Sequence, residues 1–374
     1  MKYKVVIRLF LLLSLLATTL LSCRRELLER ETAELCITVR IPELFKTKAG
    51  ETEISPEEAE TVMKQLKIWV FRSSDGFQLG VIQPGQGQHL ITDNEDRYFL
   101  KIDKEIALAH PDVDVYVMAN SVAAGQGYNP GGNNRIATLE SLVLKDAYFG
   151  IGADGAPTHL GVPADGLPFT AVAKNLKMTG DYPSMTVETV TMERAVSKVR
   201  FVVSQLVDLA GPVLSFTLDE LSLDPGLIPA EEYLFNDSAN PYKIKGNTYV
   251  NSRLFFPVPA YSDIAHNHSP QDYDAAKTGL SGQAYEDLVM DGIREGVLTD
   301  VGACYLRESD KALSGRIVYT MGGKQHTVPF SMASPGGFAR NHSWIVYVYF
   351  NGAQMEFSVS WTPWEHGQDF YLSK

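Results

Sequence analysis

Short runs in which apolar and polar residues alternate recur along this chain, and they constrain its fold more than any other feature. The first clear run puts four apolar side chains on one side of an extended segment: Leu35, Ile37, Val39 and Ile41. Alternation with a period of two is typical of a β-strand with one buried face. Further strands are predicted at residues 66–71, 77–82, 98–102, 113–119, 169–173, 185–190, 194–203, 213–223, 304–306, 316–320, 325–330, 344–350 and 355–361. The sequence therefore predicts an all-β protein with a few short helices, including helices after Ser55, at residues 139–144 and at residues 285–293.

The chain is 374 residues long, which is enough for two domains with substantial cores. The longest strand-like run, residues 194–203, begins just after Thr191. We therefore predict a first domain at residues 49–190 and a second domain at residues 191–374. A signal peptide at residues 1–22 and a pro-segment at residues 23–48 precede them.

The N-terminus has the pattern of an export signal. Positive charges at Lys2, Lys4 and Arg8 precede an apolar run that is too short to span a membrane comfortably. The run ends in Leu-Leu-Ser-Cys at residues 20–23 and resembles the lipobox of bacterial lipoproteins. This resemblance implies cleavage before Cys23 and acylation of that residue, which anchors a protein without a spanning helix. An uncleaved anchor and an ordinary secretory signal are the alternatives.

Charge and motifs argue against several classes of function. The net charge of −12 disfavours nucleic acid and anionic membrane surfaces as partners. Neither a nucleophile elbow nor a phosphate-binding loop occurs. His266 and His268 lie near Asp263, but two candidate ligands without a third make a weak metal site. We expect a protein that is not an enzyme and holds no cofactor or metal, and in which Cys36 and Cys304 are unpaired.

Two segments suggest that one strand is removable and another could replace it. A polar loop follows the first alternating run and contains Lys46 and the Lys48–Ala49 bond, where a trypsin-like protease could cut. At the other end of the chain a similar apolar row returns, followed by a further tryptophan: Met355, Phe357, Val359, Trp361 and Trp364. This terminal run is either a core strand of the chain's own sandwich or a strand that is donated to a neighbouring molecule.

Several segments together resemble the fimbrillin family, the type V pilins and related fimbrial lipoproteins of Bacteroidota. They are the lipobox at Cys23, the first strand with its basic loop, the short helix and the strand at residues 66–71 that follow, Val-Tyr-Val-Met-Ala-Asn at 115–120, Glu-Arg-Ala-Val-Ser-Lys-Val at 193–199, Arg-Asn-His-Ser-Trp at 340–344, and the closing strand with Pro363 and Trp364. The resemblance implies two transthyretin-like β-sandwich domains in tandem. At the position that matches the processing site, this chain has Lys48 where better-known members have arginine.

The resemblance also implies a route of assembly. The lipoprotein precursor reaches the outer membrane, and a trypsin-like protease cuts after Lys48. The first strand is lost, and the C-terminal strand of another fimbrial subunit fills the groove head to tail. The chain would then be a stalk or tip subunit of a cell-surface fimbria. The alternatives are a fimbrial anchor that keeps its lipid and a glycan-binding surface lipoprotein. An exposed row of aromatic side chains over a β face would favour glycan binding.

Overall fold

Two β-sandwiches follow one another along the chain. The computed structural model describes residues 31–40, 60, 63–84, 95–126, 135–144, 160–206, 216–235, 246–332, 338–351 and 355–363; the side chains of residues 95 and 361–363 lie outside this description. Strands dominate these residues, and four short helices accompany them within the described ranges. The prediction of an all-β fold with two sandwich domains and a few short helices is confirmed.

The first sandwich consists of two sheets. The described strands of this half of the chain are β1 Thr32–Arg40, β2 Leu66–Arg72, β3 Gln78–Ile82, β4 Glu95–Asp103, β5 Asp112–Ala119, β6 Val143–Leu144, β7 Phe169–Lys177, β8 Ser184–Thr186, β9 Val190–Thr191 and β10 Glu193–Arg194, and all but β6 belong to the two sheets. One sheet has the order β4-β1-β8, and β9 also pairs with β1. The other has the order β10-β7-β5-β2-β3. The apolar side chains of both sheets meet in one core, which also includes Phe235 from the second half of the chain.

The second sandwich repeats this plan. Its strands are β11 Ser197–Leu206, β12 Phe216–Leu223, β14 Leu254–Phe256, β15 His266–Asn267, β16 Thr299–Leu306, β17 Leu313–Met321, β18 Lys324–Met332, β19 His342–Phe350 and β20 Met355–Pro363. One sheet runs β15-β11-β19-β20, with β16 also on β11, and the other runs β14-β12-β17-β18. The remaining strand, β13 Glu232–Tyr233, pairs with β6 and so joins the two halves of the chain.

The helices of the described residues are short. They are α1 Lys104–Ala109, α2 Ile136–Glu140, α3 Ala275–Thr278 and α4 Gln283–Arg294. Tyr285 and Val289 of α4 pack against Tyr347 and Tyr349 of β19. Because the opposite face of β19 lines the core of the sandwich, this strand is buried on both sides. That burial explains its almost continuous apolar sequence, which an alternating pattern would not predict.

Most predicted strands are present, with shifted ends. The first strand begins at Thr32, earlier than its apolar row suggested, and Ala33 is buried. The prediction of a helix over residues 139–144 is wrong in extent, because α2 ends at Glu140 and residues 143–144 form β6. Residues 185–190 form two separate short strands, β8 and β9. The helix predicted after Ser55 falls mostly outside the described residues.

Buried charged groups connect the two halves. Glu60 is the first described residue after β1, and its carboxylate lies 2.9 Å from the Lys198 ammonium of β11, with both side chains buried. The Arg307 guanidinium donates a hydrogen bond of 2.9 Å to the carbonyl of Leu144. Breaking a buried ion pair from one side leaves an uncompensated charge, so such contacts fix the chain after the basic loop against the second half.

Candidate strand-exchange site

Strand β1 lies inside its sheet and has a partner on each edge. Along one edge it pairs antiparallel with β4 over its full length, from Thr32 opposite Asp103 to Arg40 opposite Glu95. Along the other edge it pairs in parallel with β8 and β9. A strand with partners on both sides contributes two ladders of backbone hydrogen bonds. Removing it would therefore leave a slot rather than a frayed edge.

Backbone hydrogen bonds beyond the β1–β8 and β1–β9 ladders also hold the parallel edge of β1. The amide of Glu34 donates to the carbonyl of Pro183 at 2.7 Å. The carbonyl of Cys36 accepts from the amide of Val187 at 3.3 Å. The carbonyl of Arg40 accepts from the amide of Met192 at 2.8 Å. The pairing with β8 and β9 is thus interrupted in the middle, whereas the pairing with β4 is continuous.

The inward face of β1 forms a completely buried apolar row. Leu35, Ile37 and Val39 have no exposed surface, and Ala33 is 1% exposed. All four belong to the core of the first sandwich. The alternation in the sequence therefore identified the buried face correctly for the described positions. Ile41, the last residue of the predicted row, lies outside the described residues.

The outward face of β1 is polar and half-exposed. Burial raises the pKa of the Cys36 thiol, and the nearby positive charge of Arg97 opposes that rise. Cys36 and Cys304 are both free thiols. Directly across the antiparallel ladder from Cys36 lies Phe99, whose side chain is 57% exposed. The first strand thus contributes apolar contacts to the core on one face only. Its other face is partly exposed to solvent.

Strand β20 is the last strand that the structure describes, and it lies at the edge of its sheet among the described strands. It pairs antiparallel with β19 over nine positions, from Met355 opposite Phe350 to Pro363 opposite His342. Met355 is buried, and Phe357 and Val359 are partly buried against the core of the second sandwich. The ring of Phe357 lies 6.1 Å from that of Phe330, measured between centroids. The sequence left open whether this segment is a core strand or a donated strand. In the free chain it packs as a strand of its own sandwich. A donor role stays a prediction.

Polar contacts hold the opposite face of β20. The Lys277 ammonium of α3 donates to the carboxylate of Glu356 at 2.9 Å and to the hydroxyl of Tyr349 at 2.6 Å. The amide of Ala275 donates to the hydroxyl of Ser358 at 3.1 Å. These residues form a clasp, which we define as α3 together with Tyr349, Glu356 and Ser358. Nothing in the alternating pattern of the sequence indicated it, since its helix is only four residues long.

The two candidate strands belong to different sandwiches, and the structure does not bring them together. Each has its apolar row in a core, but among the described strands β1 has partners on both edges and β20 has a partner on one edge. The sequence predicted one strand at residues 185–190, where two short strands lie beside β1, and it gave no signal of their parallel pairing with β1. Several residues that the sequence analysis singled out have side chains outside the described residues: Cys23, Ile41, Lys46, Lys48, Ala49, Trp361 and Trp364. No helix in the described part of the chain is long and apolar enough to cross a membrane.

Comparison with solved structures identifies the fold. The chain is similar to a candidate cell adhesion protein from Bacteroides eggerthii, with 13% identity and a TM-score of 0.50 over 89% of this chain and 96% of the other. A candidate cell adhesion protein from Parabacteroides distasonis gives 13% identity and a TM-score of 0.50 over 90% and 99% of the two chains. A fimbrilin from Porphyromonas gingivalis gives 10% identity and a TM-score of 0.50 over 90% and 99%.

No protein-family model matches the sequence, and no curated protein matches it either. The likeness to the solved structures extends over most of this chain and nearly all of each of theirs. The fold implied by the resemblance to the fimbrillin family is therefore confirmed: the chain has the two-sandwich fold of Bacteroidota fimbrial and adhesion proteins.

Proposed function

We propose that this chain is a structural subunit of a cell-surface fimbria, in a stalk or at a tip. It is exported as a lipoprotein that is acylated at Cys23 and reaches the outer membrane. Proteolysis after Lys48 separates β1 from the rest of the chain. The C-terminal strand of another subunit then fills the vacated slot, and subunits join head to tail. This proposal assigns the chain no catalytic activity and no nucleic-acid partner.

The position of β1 is the observation that supports the proposal most strongly. Burying Leu35, Ile37 and Val39 contributes roughly 1.5–3 kcal/mol each, or about 5–9 kcal/mol in total. The first sandwich therefore needs an occupant in this slot. While the chain is uncut, the tether supplies β1 at an effective concentration of order millimolar. A cut removes that advantage, so that an external strand can compete with β1 for the slot.

The direction of assembly follows from the ladders. An incoming strand meets unpaired backbone groups on both edges of the slot, on β4 and on the segments around β8 and β9. Backbone hydrogen bonds supply affinity in such strand addition, and alternate side chains supply specificity. Since the donor strand and the slot lie in different sandwiches, each subunit can receive at one end and donate at the other. Such a contact does not close on itself, so a filament grows.

The two alternatives make different demands on the chain. An anchor keeps Cys23 and β1, and the intact pairing of β1 on both edges is compatible with that state. Glycan binding by an aromatic platform requires exposed rings in a row. Among the described residues, the exposed aromatic side chains lie on separate elements: Phe77, Phe99, Tyr182 and Phe255. The structure thus gives the anchor some support, whereas the exposed aromatics offer none for the glycan-binding alternative.

A disulfide lock tests the proposal. Phe99→Cys puts a thiol directly across the ladder from Cys36, at the Cβ separation of about 4.5–5.5 Å that opposite residues of antiparallel strands have. Purified chain is oxidised, cut lightly with trypsin, and examined by size-exclusion chromatography and electron microscopy. We expect the oxidised variant to stay monomeric after cutting, and the same sample to polymerise once a reductant frees β1.

Two controls complete this experiment. The unsubstituted chain should polymerise after cutting whether or not reductant is present. The double variant Lys46→Gln, Lys48→Gln removes both candidate sites in the loop and should stay monomeric under trypsin. Polymerisation of the locked, oxidised chain would contradict the proposal, because the slot would still be occupied. A cut, reduced chain that stays monomeric would favour the anchor.

A further inference from the structure

The slot of β1 has a distinct size pattern along its length. Its first inward position holds only the methyl group of Ala33, which is 1% exposed and lies in the core of the first sandwich. The next three hold the larger Leu35, Ile37 and Val39. A strand that fills the slot must therefore read small, large, large, large at alternate positions. Forcing extra carbon atoms into a packed site is destabilising, and leaving a large site empty creates a cavity.

The C-terminal segment carries this same pattern, with alanine at its small position. Residues 353–361 read Ala-Gln-Met-Glu-Phe-Ser-Val-Ser-Trp, and residues 33–41 read Ala-Glu-Leu-Cys-Ile-Thr-Val-Arg-Ile. Alanine matches alanine at the first position, and large apolar residues match at the third, fifth, seventh and ninth. The outward positions are polar in the C-terminal segment, as most of them are in the first strand. Pro363, which lacks an amide hydrogen, would fall two positions beyond Ile41 and so outside the ladder of β1.

Charge on β4 favours the same strand. Lys101 lies opposite Glu34, and Arg97 lies opposite Thr38. The outward position between them, which Cys36 occupies, therefore has a cation diagonally on each side, within reach of long side chains. Burial of Ala33 fixes which residue comes to this position. When Ala353 takes the site of Ala33, the residue between the two cations is Glu356.

We propose that the slot of β1 accepts residues 353–361 of a second copy of this chain in one register, with Met355 at the site of Leu35. This inference rests on the proposed function and adds to it both the partner and the alignment. In the free subunit Glu356 pairs with Lys277 of the clasp at 2.9 Å. In the assembled state Glu356 gives up that partner and lies between Lys101 and Arg97 of the acceptor.

Neighbouring registers fail for steric reasons. A shift of two residues in one direction puts Met355 into the buried site of Ala33, where the extra atoms of the larger side chain would overpack the core. A shift of two in the other direction puts Ala353 into the site of Leu35 and leaves a cavity. That shift also carries the amide of Asn351 into the apolar site of Ala33, where burial without hydrogen bonds is costly. Both shifts keep Glu356 opposite a cation, so size rather than charge selects the register.

Cysteine cross-linking between two copies reads the register directly. An acceptor carries Phe99→Cys in a Cys36→Ser background, since Phe99 faces the position under test and is largely exposed. Three donors carry Glu356→Cys, Gln354→Cys or Ser358→Cys in the same background. Each donor is mixed with the acceptor, cut with trypsin under reduction, allowed to assemble and then oxidised. The acceptor cysteine at residue 99 is the same in all three mixtures. The three mixtures therefore differ only in which donor position carries the second cysteine.

We expect a covalent donor–acceptor dimer with Glu356→Cys and none above background with the other two donors. Cross-linking through residue 354 or 358 instead would overturn the register and leave the proposed function intact. Failure of the parent Cys36→Ser chain to assemble after cutting would overturn both.

A second variant keeps the test independent of cross-linking chemistry. Ala353→Phe in the donor should weaken insertion about tenfold to hundredfold, because its ring would have to enter the site of Ala33. Ala353→Gly leaves that site unobstructed and should assemble like the parent chain. Equal assembly of the phenylalanine and glycine variants would also overturn the register.

Discussion

The substitution Ile37→Ala tests whether β1 is a permanent part of the fold or is removed from it. The Ile37 side chain has no exposed surface and lies in the middle of β1, in the core of the first sandwich. The substitution removes three carbon atoms, which at roughly 0.8 kcal/mol each gives a minimum loss of about 2.4 kcal/mol. The cavity adds to this, so the expected loss in unfolding free energy is about 3–4 kcal/mol, within the usual range for such changes.

Urea denaturation of two forms of the protein measures this effect. In the uncut chain, Ile37→Ala should lower the unfolding free energy by the full amount. Thr38 is the adjacent residue, faces outward and is half-buried, so Thr38→Ala should lower the unfolding free energy by no more than about 1 kcal/mol. After cutting and separation of β1, Ile37→Ala and the unsubstituted chain should be identical in stability and assembly. A loss below about 1 kcal/mol in the uncut chain would refute the reasoning from burial, and a persisting difference after cutting would refute removal of β1.

Three further predictions concern the anchor, the clasp and a buried acid. Cys23→Ala should abolish labelling by a fatty-acid probe and release the protein from the membrane fraction; unchanged labelling would contradict lipidation. Lys277→Met should accelerate amide exchange along β20 more than along β19 and cost no more than about 1 kcal/mol overall, because Lys277 is half-exposed. Burial raises the pKa of the Glu232 carboxyl well above its ordinary value of 4.5, so the contribution of this group to stability is full below pH 4.5 and declines as the pH rises toward the folded-state pKa. Glu232→Gln should remove that decline, seen as a flatter dependence of Tm on pH; an unchanged dependence would assign it to other groups.

The buried face of each long strand was predictable from the sequence, because alternation reports burial directly. The rows of β1 and β20 are examples, since their described apolar residues do line a core. β19 illustrates the limit of that signal: helix α4 covers its second face, and the strand is nearly uniformly apolar. Chain length and the run at residues 194–203 indicated two domains, but not that Phe235 of the second half packs against Trp69 and Tyr116 of the first.

Strands were predicted at residues 98–102 and 185–190, but their pairing with β1 could not be predicted, and this pairing matters most for the proposed function. Strands β8 and β9 are two or three residues long, and their parallel pairing with β1 joins segments about 150 residues apart in sequence. The clasp on β20 is equally hidden, because it depends on where Lys277 and Glu356 meet in space. Cys23, Lys48, Ala49 and Trp364 remain predictions from the sequence.

The N-terminus of the mature subunit on the cell surface tests the central claim most directly. Surface material is sheared from cells, and its terminal peptide and any attached lipid are identified by mass spectrometry. The proposed function predicts a chain that begins at Ala49, or at Thr47 after cleavage at Lys46, without lipid and without β1. A surface form that begins at acylated Cys23 and still contains residues 32–40 would contradict removal of the strand.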